Sequence, residues 1–231
     1  MTSRGRYIMN KNIKVAIDGP VGAGKSTVAK MIAKKMNIIY VDTGAMYRTV
    51  GLYAVRKGVA TTDAESLKAL INEIDIDVEI KNGEQLIYLN KEDVTGLIRT
   101  PEISMAASNV SAVPEVRAKL VDMQRKLAES KSVIMDGRDI GTVVLPNADT
   151  KIFLDASPEA RAKRRYDELI NKKQEVTFEE VYNDLVERDR NDSTRAASPL
   201  KVADDAIVLD TTNLTLEQVV DEAIKIINKN N

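Results

Sequence analysis

Cysteine and histidine are both absent from the 231-residue chain, and each absence removes a class of chemistry. Without cysteine there is no disulfide framework and no thiol nucleophile, and without either residue there is no Cys or His zinc site. Histidine is also excluded as a general base. Any catalysis must therefore use lysine, arginine, carboxylate, hydroxyl or phenol groups, or a metal held by oxygen atoms.

The chain also lacks a strong charge of either sign, because 34 Lys and Arg residues face 35 Asp and Glu residues. This balance, with only 4% aromatic residues, argues against a protein that binds nucleic acid or anionic membranes through its overall charge. Residues 1–12 are polar and basic, and no apolar run approaches the length of a membrane span. We therefore expect a soluble cytoplasmic protein with an N-terminal extension over residues 1–12, in which Met9 is a candidate start.

A phosphate-loop pattern, G-x-x-x-x-G-K-[ST], occupies residues 19–26. The apolar run Val15–Ile17 predicts a buried strand before it, and helically spaced apolar residues from Val28 to Met36 predict a helix after it. Inward-facing backbone N–H groups and the helix N-terminus would bind a polyphosphate. Lys25 would contact its β- and γ-phosphates, and Ser26 would ligate Mg²⁺. The alternative, a glycine-rich turn that binds nothing, is disfavoured by the correct flanking elements.

Polar residues also follow the predicted strand 38–41, in the segment 42–48. Ligands bind at the carboxyl ends of strands in open α/β sheets, so we expect a loop here that contributes to a site. Arg48 offers a fork for a second phosphate, and Tyr47 offers a ring with a hydroxyl group. Taken alone, the segment favours the plainer interpretation that Thr43 caps a helix and Arg48 is a surface arginine.

A third set of polar residues follows the predicted strand 132–135. Asp136 ends this apolar run in the manner of a Walker B carboxylate, which holds Mg²⁺ directly or through water. Arg138 and Asp139 then place a donor fork and an acceptor side by side. We expect a loop here, followed by the apolar residues Val143–Leu145.

Two predicted helices after the strand 152–154 carry clusters of arginine. Arg161, Arg164 and Arg165 fall on one face of the first helix, capped by Ser157, and the second begins with the capping box Thr177-x-x-Glu180. On the second helix Arg188, Asp192 and Arg195 share a face. A solvated, self-paired surface is the ordinary explanation for such runs. Two such helices joined by a mobile segment, 171–176, instead suggest a lid that excludes water from a triphosphate.

Five short apolar strands separated by helices predict an α/β fold, with a doubly wound parallel sheet of five strands flanked by helices. Helices are predicted over Tyr47–Arg56, over Thr62–Glu73 with a cap at Thr62, from Pro114, and after the cap Thr215-x-x-Gln218. Alternating residues from Ile74 to Ile80, an Asn-Gly turn and residues 85–89 predict an antiparallel hairpin, and 93–111 is of mixed character. We expect one domain, 13–231, with a core over 13–72, 112–157 and 199–231, an inserted lobe at about 73–111 and a lid at about 158–198.

A guanine-recognition pattern, N-K-x-D, matches residues 90–93, and a D-x-x-G pattern matches 93–96. In GTP-binding switch proteins the second pattern precedes the first, whereas here the two overlap in reverse order. They also follow a strand of the hairpin and not of the parallel sheet. We interpret both matches as chance.

Three motifs in this order resemble bacterial cytidylate kinases: D-G-P-V-G-A-G-K-S from Asp18, D-T-G-A-M-Y-R from Asp42 and D-G-R-D-I-G-T-V-V from Asp136. The phosphate loop is shared by many kinases, but the other two motifs are much more specific. The resemblance runs from about Ile13 to Ile227. It implies Mg²⁺-dependent transfer of the γ-phosphoryl group of ATP to CMP or dCMP, by a core, a monophosphate lobe and a small lid.

The resemblance also implies roles for individual residues. ATP would be bound by Gly19, Pro20, Val21, Gly22, Ala23, Gly24, Lys25, Ser26 and Thr27, with Arg161 and Arg165 from the lid. CMP would be bound by Thr43, Tyr47, Arg48, Ser108, Arg117, Arg138, Asp139, Arg188, Asp192 and Arg195. The catalytic cations would be Lys25, Arg138, Arg164 and Arg195, and Mg²⁺ would be held by Ser26 and by Asp136.

The chemistry of cytosine fits this assignment. An ionised Asp139 would accept from the amino group, while Arg117 and Ser108 would donate to N3 and O2. Uracil would turn a carbonyl toward the carboxylate, and each mismatched buried group costs about 1–3 kcal/mol. The rival hypotheses are a kinase for UMP or a non-nucleotide acceptor, a nucleotide-dependent switch, and an RNA-binding protein that uses the lid arginines. We expect a monomer whose partners are ATP and CMP or dCMP, with no nucleic acid or membrane partner.

Overall fold

The computed structural model describes residues 12–230. Within this range the strands are β1 Lys14–Asp18, β2 Ile39–Asp42, β3 Ile76–Lys81, β4 Glu84–Leu89, β5 Glu92–Asp93, β6 Val133–Gly137, β7 Thr150–Asp155 and β8 Ile207–Asp210. The α-helices are α1 Lys25–Met36, α2 Thr43–Arg56, α3 Ala64–Leu70, α4 Pro101–Val110, α5 Pro114–Ala128, α6 Pro158–Asn171, α7 Phe178–Thr194 and α8 Leu216–Asn230. Met9 and nearly all of the expected N-terminal extension lie outside the described residues.

Five strands form one parallel sheet in the order β2-β6-β1-β7-β8, which confirms the predicted architecture. Val15 and Ile17 of the central strand face an apolar cluster that contains α1 and α8. Ala16 points to the opposite side, into a cluster that contains residues of α5. Successive side chains alternate between the two faces of a strand, and helices cover both faces of this sheet. The apolar run at 15–17 is therefore fully buried.

The order of the strands brings the three polar segments together. Asp136 pairs with Ile17 of β1 on one side and with Asp42 of β2 on the other. All of these strands run in the same direction, so their carboxyl ends lie at one edge of the sheet. The phosphate loop, Asp42 and Asp136 therefore meet where α/β sheets bind ligands.

Several predicted helix starts are confirmed at the level of hydrogen bonds. The Ser157 side chain accepts from the backbone of Ala160 at the start of α6, with Pro158 in the first turn. Thr177 and Glu180 form a reciprocal capping box at α7. Thr215 and Gln218 bond reciprocally before α8, at 2.8 and 3.3 Å. Each cap satisfies backbone N–H groups that the first helical turn leaves unpaired.

Two predicted helix starts were wrong. The segment 42–48 is not a loop, because α2 begins at Thr43 and not near Tyr47, and its cap is Asp42, which accepts from Ala45 at 3.0 Å. The Thr43 hydroxyl instead donates to the carbonyl of Asp136 at 2.7 Å. Likewise, Asp63 rather than Thr62 caps the shorter α3. In both cases a carboxylate beside a threonine takes the capping position.

Three elements were not predicted: the two-residue strand β5, helix α4 and a π-helical turn. The mixed segment 93–111 contains α4, which Thr100 caps and Pro101 begins. The expected loop after Asp139 is a π-helical turn over Ile140–Val144. Its five residues are mostly apolar and β-branched, which gave no helical signal. Helix α6 also extends through Asn171, the first residue of the expected linking segment.

The predicted hairpin forms part of a separate antiparallel sheet in the order β3-β4-β5. Asn82 and Gly83 both have positive φ, 54° and 79°, as a two-residue turn of this kind requires. Asn90 and Lys91 have positive φ in the next turn, between β4 and β5. The N-K-x-D match therefore lies on the small sheet and not at the ligand-binding edge of the parallel sheet.

The small sheet is joined to the rest of the molecule by packing and by a polar contact. One apolar cluster contains buried residues of β3, β4, α2, α3, α4 and α5. The Gln85 side chain accepts from the backbone N–H of Asp42 at 2.7 Å and donates to its carbonyl at 3.2 Å. Gln85 thus attaches β4 to the end of β2. The division into core, lobe and lid stays a prediction.

Within residues 12–230, we find no helix that is both long enough and apolar enough to cross a membrane.

Candidate functional site

The phosphate loop connects β1 to α1 and is held tightly from outside. A Cβ on Gly22 would lie 3.1 Å from the Cβ and the carbonyl oxygen of Arg161, and its φ is 75°. The backbone of Val21 is bonded on both sides. Its N–H donates to Asp189 at 3.1 Å, and its carbonyl accepts from Arg161 at 2.8 Å. Residues of α6 and α7 therefore fix the outer side of the loop.

Lys25 begins α1 and is buried at the base of this loop. Its Nζ donates to the Pro20 carbonyl at 2.6 Å. Burial and the nearby charge of Arg138 lower its pKa well below the usual value, against the opposing charges of Asp136, Asp192 and Asp18. An anionic ligand beside Lys25 would favour its charged form, which is what a phosphate-binding lysine requires.

Asp136 accepts two hydroxyl hydrogen bonds at the end of β6. Ser26 donates to one carboxylate oxygen and Tyr40 to the other, each at 2.8 Å. Burial and the charge of Asp42 raise the pKa of Asp136. The Ser26 hydroxyl and the Asp136 carboxylate are oxygen ligands of the type that Mg²⁺ prefers, so they fit the predicted metal. Within residues 12–230, no three Asp, Glu, His or Cys residues cluster as a ready-made metal site.

Helix α2 carries the first residues of a second anion-binding region. Arg48 donates to Asp42 at 2.7 Å, so the residue that caps α2 also holds the arginine six residues later. Thr43 is bonded to the backbone of Asp136. Tyr47 lies one turn further, and burial raises its pKa to about 12. Arg48 is therefore neither a plain surface residue nor solely a ligand-binding residue, because it already pairs with a buried carboxylate.

A buried ion pair lies deeper in the same region. Arg117 of α5 donates to the carboxylate of Asp139, and its guanidinium lies 5.5 Å from the centre of the Tyr47 ring. Arg195 lies on the other side of Asp139, with 3.9 Å between the charged groups, and donates to the Ser111 hydroxyl at 3.0 Å. Fixed donors and one fixed carboxylate are thus arranged around a buried position, which is the arrangement needed to recognise a polar ring.

The predicted residues of α7 meet the end of β6. Arg138 donates to Asp192 at 2.7 Å. Burial raises the pKa of Asp192, but the charges of Arg138, Arg195 and Arg188 outweigh it and lower the pKa overall. Burial and the neighbouring cation Arg138 lower the pKa of Arg188, and burial and Arg117 lower that of Arg195. These arginines repel one another, so an anion between them would stabilise the arrangement.

Some polar atoms of these residues are buried and, within the described chain, have no hydrogen-bond partner. They are Tyr47 Oη, Arg48 Nε, Ser108 Oγ, Arg117 Nε, Arg188 Nε and Arg195 Nη2. A buried polar group without a partner costs about 1–3 kcal/mol, and its presence in a native protein needs an explanation. These atoms are concentrated in the residues that were predicted to bind CMP. This indicates that they form hydrogen bonds to a polar ligand.

The three arginines predicted to share one face of α6 separate into two groups. Arg164 donates to the hydroxyl and carbonyl of Thr211, and Arg165 donates to Glu168 at 2.8 Å; both line the cleft. Arg161 is buried against Ala156, Val21 and Asp189 and does not line it. Arg161 therefore supports the phosphate loop in this structure, rather than facing a ligand as the sequence suggested.

One cleft of about 750 Å³ joins these parts. Every predicted site residue lines it except Gly19, Pro20 and Arg161. One end contains the phosphate loop with Arg164 and Arg165 of α6, and the other contains the residues around Asp139 that were predicted to bind CMP. The cleft can therefore hold two anionic ligands with their charged ends facing each other.

Several residues of this region were not predicted from the sequence. Arg99, Glu168 and Lys172 line the cleft, and Asp18 holds the backbone that follows Asp139. A signal for Asp18 was available, because it ends an apolar strand in the same way as Asp42 and Asp136. Arg99 lies in the segment of mixed character and carried no comparable signal.

Comparison with known proteins places the whole chain in one group. Residues 15–229 match the family model described as cytidylate kinase. A cytidylate kinase of Caldicellulosiruptor saccharolyticus is 50% identical over 219 residues, which cover 95% of this chain and 97% of the relative. A cytidylate kinase of Caldanaerobacter subterraneus is 51% identical over 223 residues, covering 96% and 98%.

Solved structures with low sequence identity to this chain share its fold. A gluconokinase from Sinorhizobium meliloti superposes with a TM-score of 0.51 at 14% identity, covering 94% of this chain and 93% of its own. Such low identity carries no information about the substrate.

Proposed function

The chain belongs to the cytidylate kinase family, and we propose that it transfers the γ-phosphoryl group of ATP to CMP and dCMP, giving ADP with CDP or dCDP. The match along almost the whole chain to relatives named cytidylate kinase carries the proposal. The site supports it, because a phosphate loop and a second cationic region share one cleft. Membership of this family makes the chain a phosphotransferase.

Residues 19–27 bind the triphosphate of ATP in this proposal. Backbone N–H groups of the loop and the N-terminus of α1 meet the β-phosphate, and Lys25 meets the β- and γ-phosphates. Arg161 keeps the loop in place from outside, and Arg165 approaches from α6. Ser26 and Asp136 would hold Mg²⁺, directly or through water, and the ion would neutralise charge on the phosphates.

The acceptor is held at the other end of the cleft. Arg48 and Arg138 bind the phosphate of CMP, with Thr43 and Tyr47 along the nucleotide. Arg188 and Asp192 hold the ribose. Arg48 and Arg138 are already paired with Asp42 and Asp192, so each is oriented before the ligand arrives.

The base is read by the ion pair Arg117–Asp139 and by Ser108. Asp139 accepts from the amino group of cytosine, whereas Arg117 and Ser108 donate to its N3 and O2. The unpartnered Arg117 Nε and Ser108 Oγ support this assignment. Uracil would place a carbonyl opposite the carboxylate, so UMP should be a poor acceptor.

Transfer needs positioning and charge stabilisation more than a strong base. An oxygen of the CMP phosphate attacks the γ-phosphorus of ATP, and the bond from that phosphorus to the β–γ bridging oxygen breaks. ADP leaves with the electrons of that bond. Lys25, Arg138, Arg164 and Arg195 stabilise the negative charge on the transferring group, and the cleft holds the two nucleotides in line.

The remaining parts of the proposal concern organisation and context. Residues 158–198 form a lid and residues about 73–111 form the inserted lobe on a core of 13–72, 112–157 and 199–231. We propose that the protein acts as a cytoplasmic monomer on free nucleotides, without a nucleic-acid or membrane partner.

A coupled assay of ADP release tests the function. ATP with Mg²⁺ is offered with CMP, dCMP, UMP, AMP or GMP in turn, and CMP and dCMP should give turnover far above the rest. Turnover with CMP no higher than with UMP or AMP would refute the proposal. GTP binding without transfer would support a switch, and RNA affinity that falls steeply with salt would support an RNA-binding protein.

A further inference from the structure

Asp18 is the last residue of β1 and directly precedes the phosphate loop, yet its carboxylate accepts hydrogen bonds from a distant segment of the chain. One carboxylate oxygen accepts from the N–H of Ile140 at 2.8 Å, and the other accepts from the N–H of Gly141 at 2.7 Å. Both donors belong to the π-helical turn that follows Asp139. Asp18 therefore holds the backbone immediately after the residue assigned to read the base.

The local packing makes a carboxylate the fitting group at this position. Two successive N–H groups at the start of the π-helical turn need two acceptors, and only a carboxylate offers two on one short side chain. A Cβ on Gly141 would lie 3.3 Å from the Asp18 carboxylate and 3.1 Å from the Lys151 side chain, so little space is left. Asp18 is buried, and water cannot easily replace it.

From this geometry we infer that Asp18 is a positioning residue for acceptor specificity, which acts by fixing the backbone that aims Asp139 at the base. The inference rests on the proposed function. It concerns a residue that directly precedes the phosphate loop, which its sequence position alone would associate with ATP.

Asp18→Asn removes one of the two acceptors and turns an amide N–H₂ toward one backbone N–H. Leaving one buried donor unsatisfied should raise the KM for CMP about tenfold. The KM for ATP should rise less than the KM for CMP, because no hydrogen bond to the phosphate loop is lost and only the effect of the Asp18 charge on Lys25 is removed. The ratio of kcat/KM for CMP over UMP should fall. The matched control is Asp149→Asn, since Asp149 also accepts from a backbone N–H of β1, that of Lys14 at 2.9 Å, but at the opposite end of the strand.

A double-mutant cycle tests whether the effect passes through Asp139. In an Asp139→Asn background, Asp18→Asn should leave the CMP:UMP ratio unchanged, because the group that Asp18 orients no longer discriminates. A result in which the two substitutions each lower the CMP:UMP ratio and their effects multiply in the double mutant would overturn the inference. So would equal rises in the KM values for CMP and ATP, since these would indicate a general structural role.

A measurement on the unsubstituted protein covers the case in which Asp18→Asn does not fold. Burial, together with a smaller contribution from the charge of Asp139, raises the pKa of Asp18 to about 6 against the opposing effects of the two backbone hydrogen bonds and Lys25. Protonation converts one acceptor into a donor, so the CMP:UMP ratio should fall as the pH falls through about 6. Both substrates carry the same phosphate, so titration of that group cancels in the ratio. A ratio that is constant from pH 8 to below 6 would contradict the inference, whereas absence of CMP turnover in the unsubstituted protein would instead refute the proposed function.

Discussion

At the scale of single residues, the site is built from side chains that orient one another before any ligand is present. Asp42 both caps α2 and holds Arg48, Asp192 holds Arg138, and Asp139 pairs with Arg117. The carboxylate of each pair is buried, so its charge would be costly without the arginine partner. Such pairing fixes the direction of every donor and acceptor, which is what discrimination between similar bases requires.

Asp139→Asn tests the residue at the centre of this arrangement. The substitution keeps the shape but replaces the carboxylate by an amide that can also donate, so CMP turnover should fall and the gap between CMP and UMP should narrow by about tenfold or more. Kinetics with both acceptors measure this. Asp122→Asn on the exposed face of α5 is the control, and it should leave CMP turnover and the CMP:UMP ratio unchanged. An unaltered CMP:UMP ratio in Asp139→Asn would remove this residue from base recognition.

At the scale of elements, α7 connects the two halves of the cleft. Asp189 holds Val21 of the phosphate loop and the supporting Arg161, whereas Asp192 holds Arg138 at the acceptor end. These two carboxylates are three residues apart on one helix. The helix therefore fixes the spacing between the donor and acceptor regions, which in-line transfer depends on.

Two substitutions on α7 should have opposite selectivity. Asp189→Ala removes an acceptor from the Val21 N–H and should raise the KM for ATP about tenfold, with less effect on CMP. Asp192→Ala frees Arg138 and should chiefly raise the KM for CMP. Glu187→Ala, on the exposed face of the same helix, serves as the control. Equal changes of both KM values in both variants would show that α7 does not divide the two functions.

At the scale of the whole molecule, the small sheet is continuous with the rest of the structure. Ile87 of β4 is fully buried in the apolar cluster that also contains residues of α2 and α5. Because the site residues Tyr47, Arg48 and Arg117 lie on these same helices, the small sheet supports the acceptor region through shared packing. We therefore expect the small sheet to unfold together with the rest of the chain.

Ile87→Ala tests this continuity. Truncating a buried isoleucine costs about 2–5 kcal/mol, and here the loss should lower the free energy of unfolding of the entire chain. Urea denaturation followed by circular dichroism should show one transition displaced to lower urea. Leu97→Ala, at a residue that is 47% exposed, should change stability by less than about 0.5 kcal/mol. Two separate transitions, with only one displaced, would contradict this expectation.

The sequence by itself determined the parallel sheet, the phosphate loop and most helix starts. These are local features: an apolar run of the right length, a glycine pattern and a capping pair such as Thr177 and Glu180 each depend on neighbouring residues. Much of the lining of the cleft was predictable too, because three motifs end three strands of one sheet and most of their polar residues line the cleft.

Only the tertiary structure decided which residues face a ligand and which hold others in place. Arg161 and Arg164 are three residues apart on one helix, yet one supports the phosphate loop and the other lines the cleft. Asp18 lies next to the loop in sequence, but it bonds to a turn more than a hundred residues away. Such roles depend on contacts between distant segments, which the order of strands in the sheet creates and a local pattern does not contain.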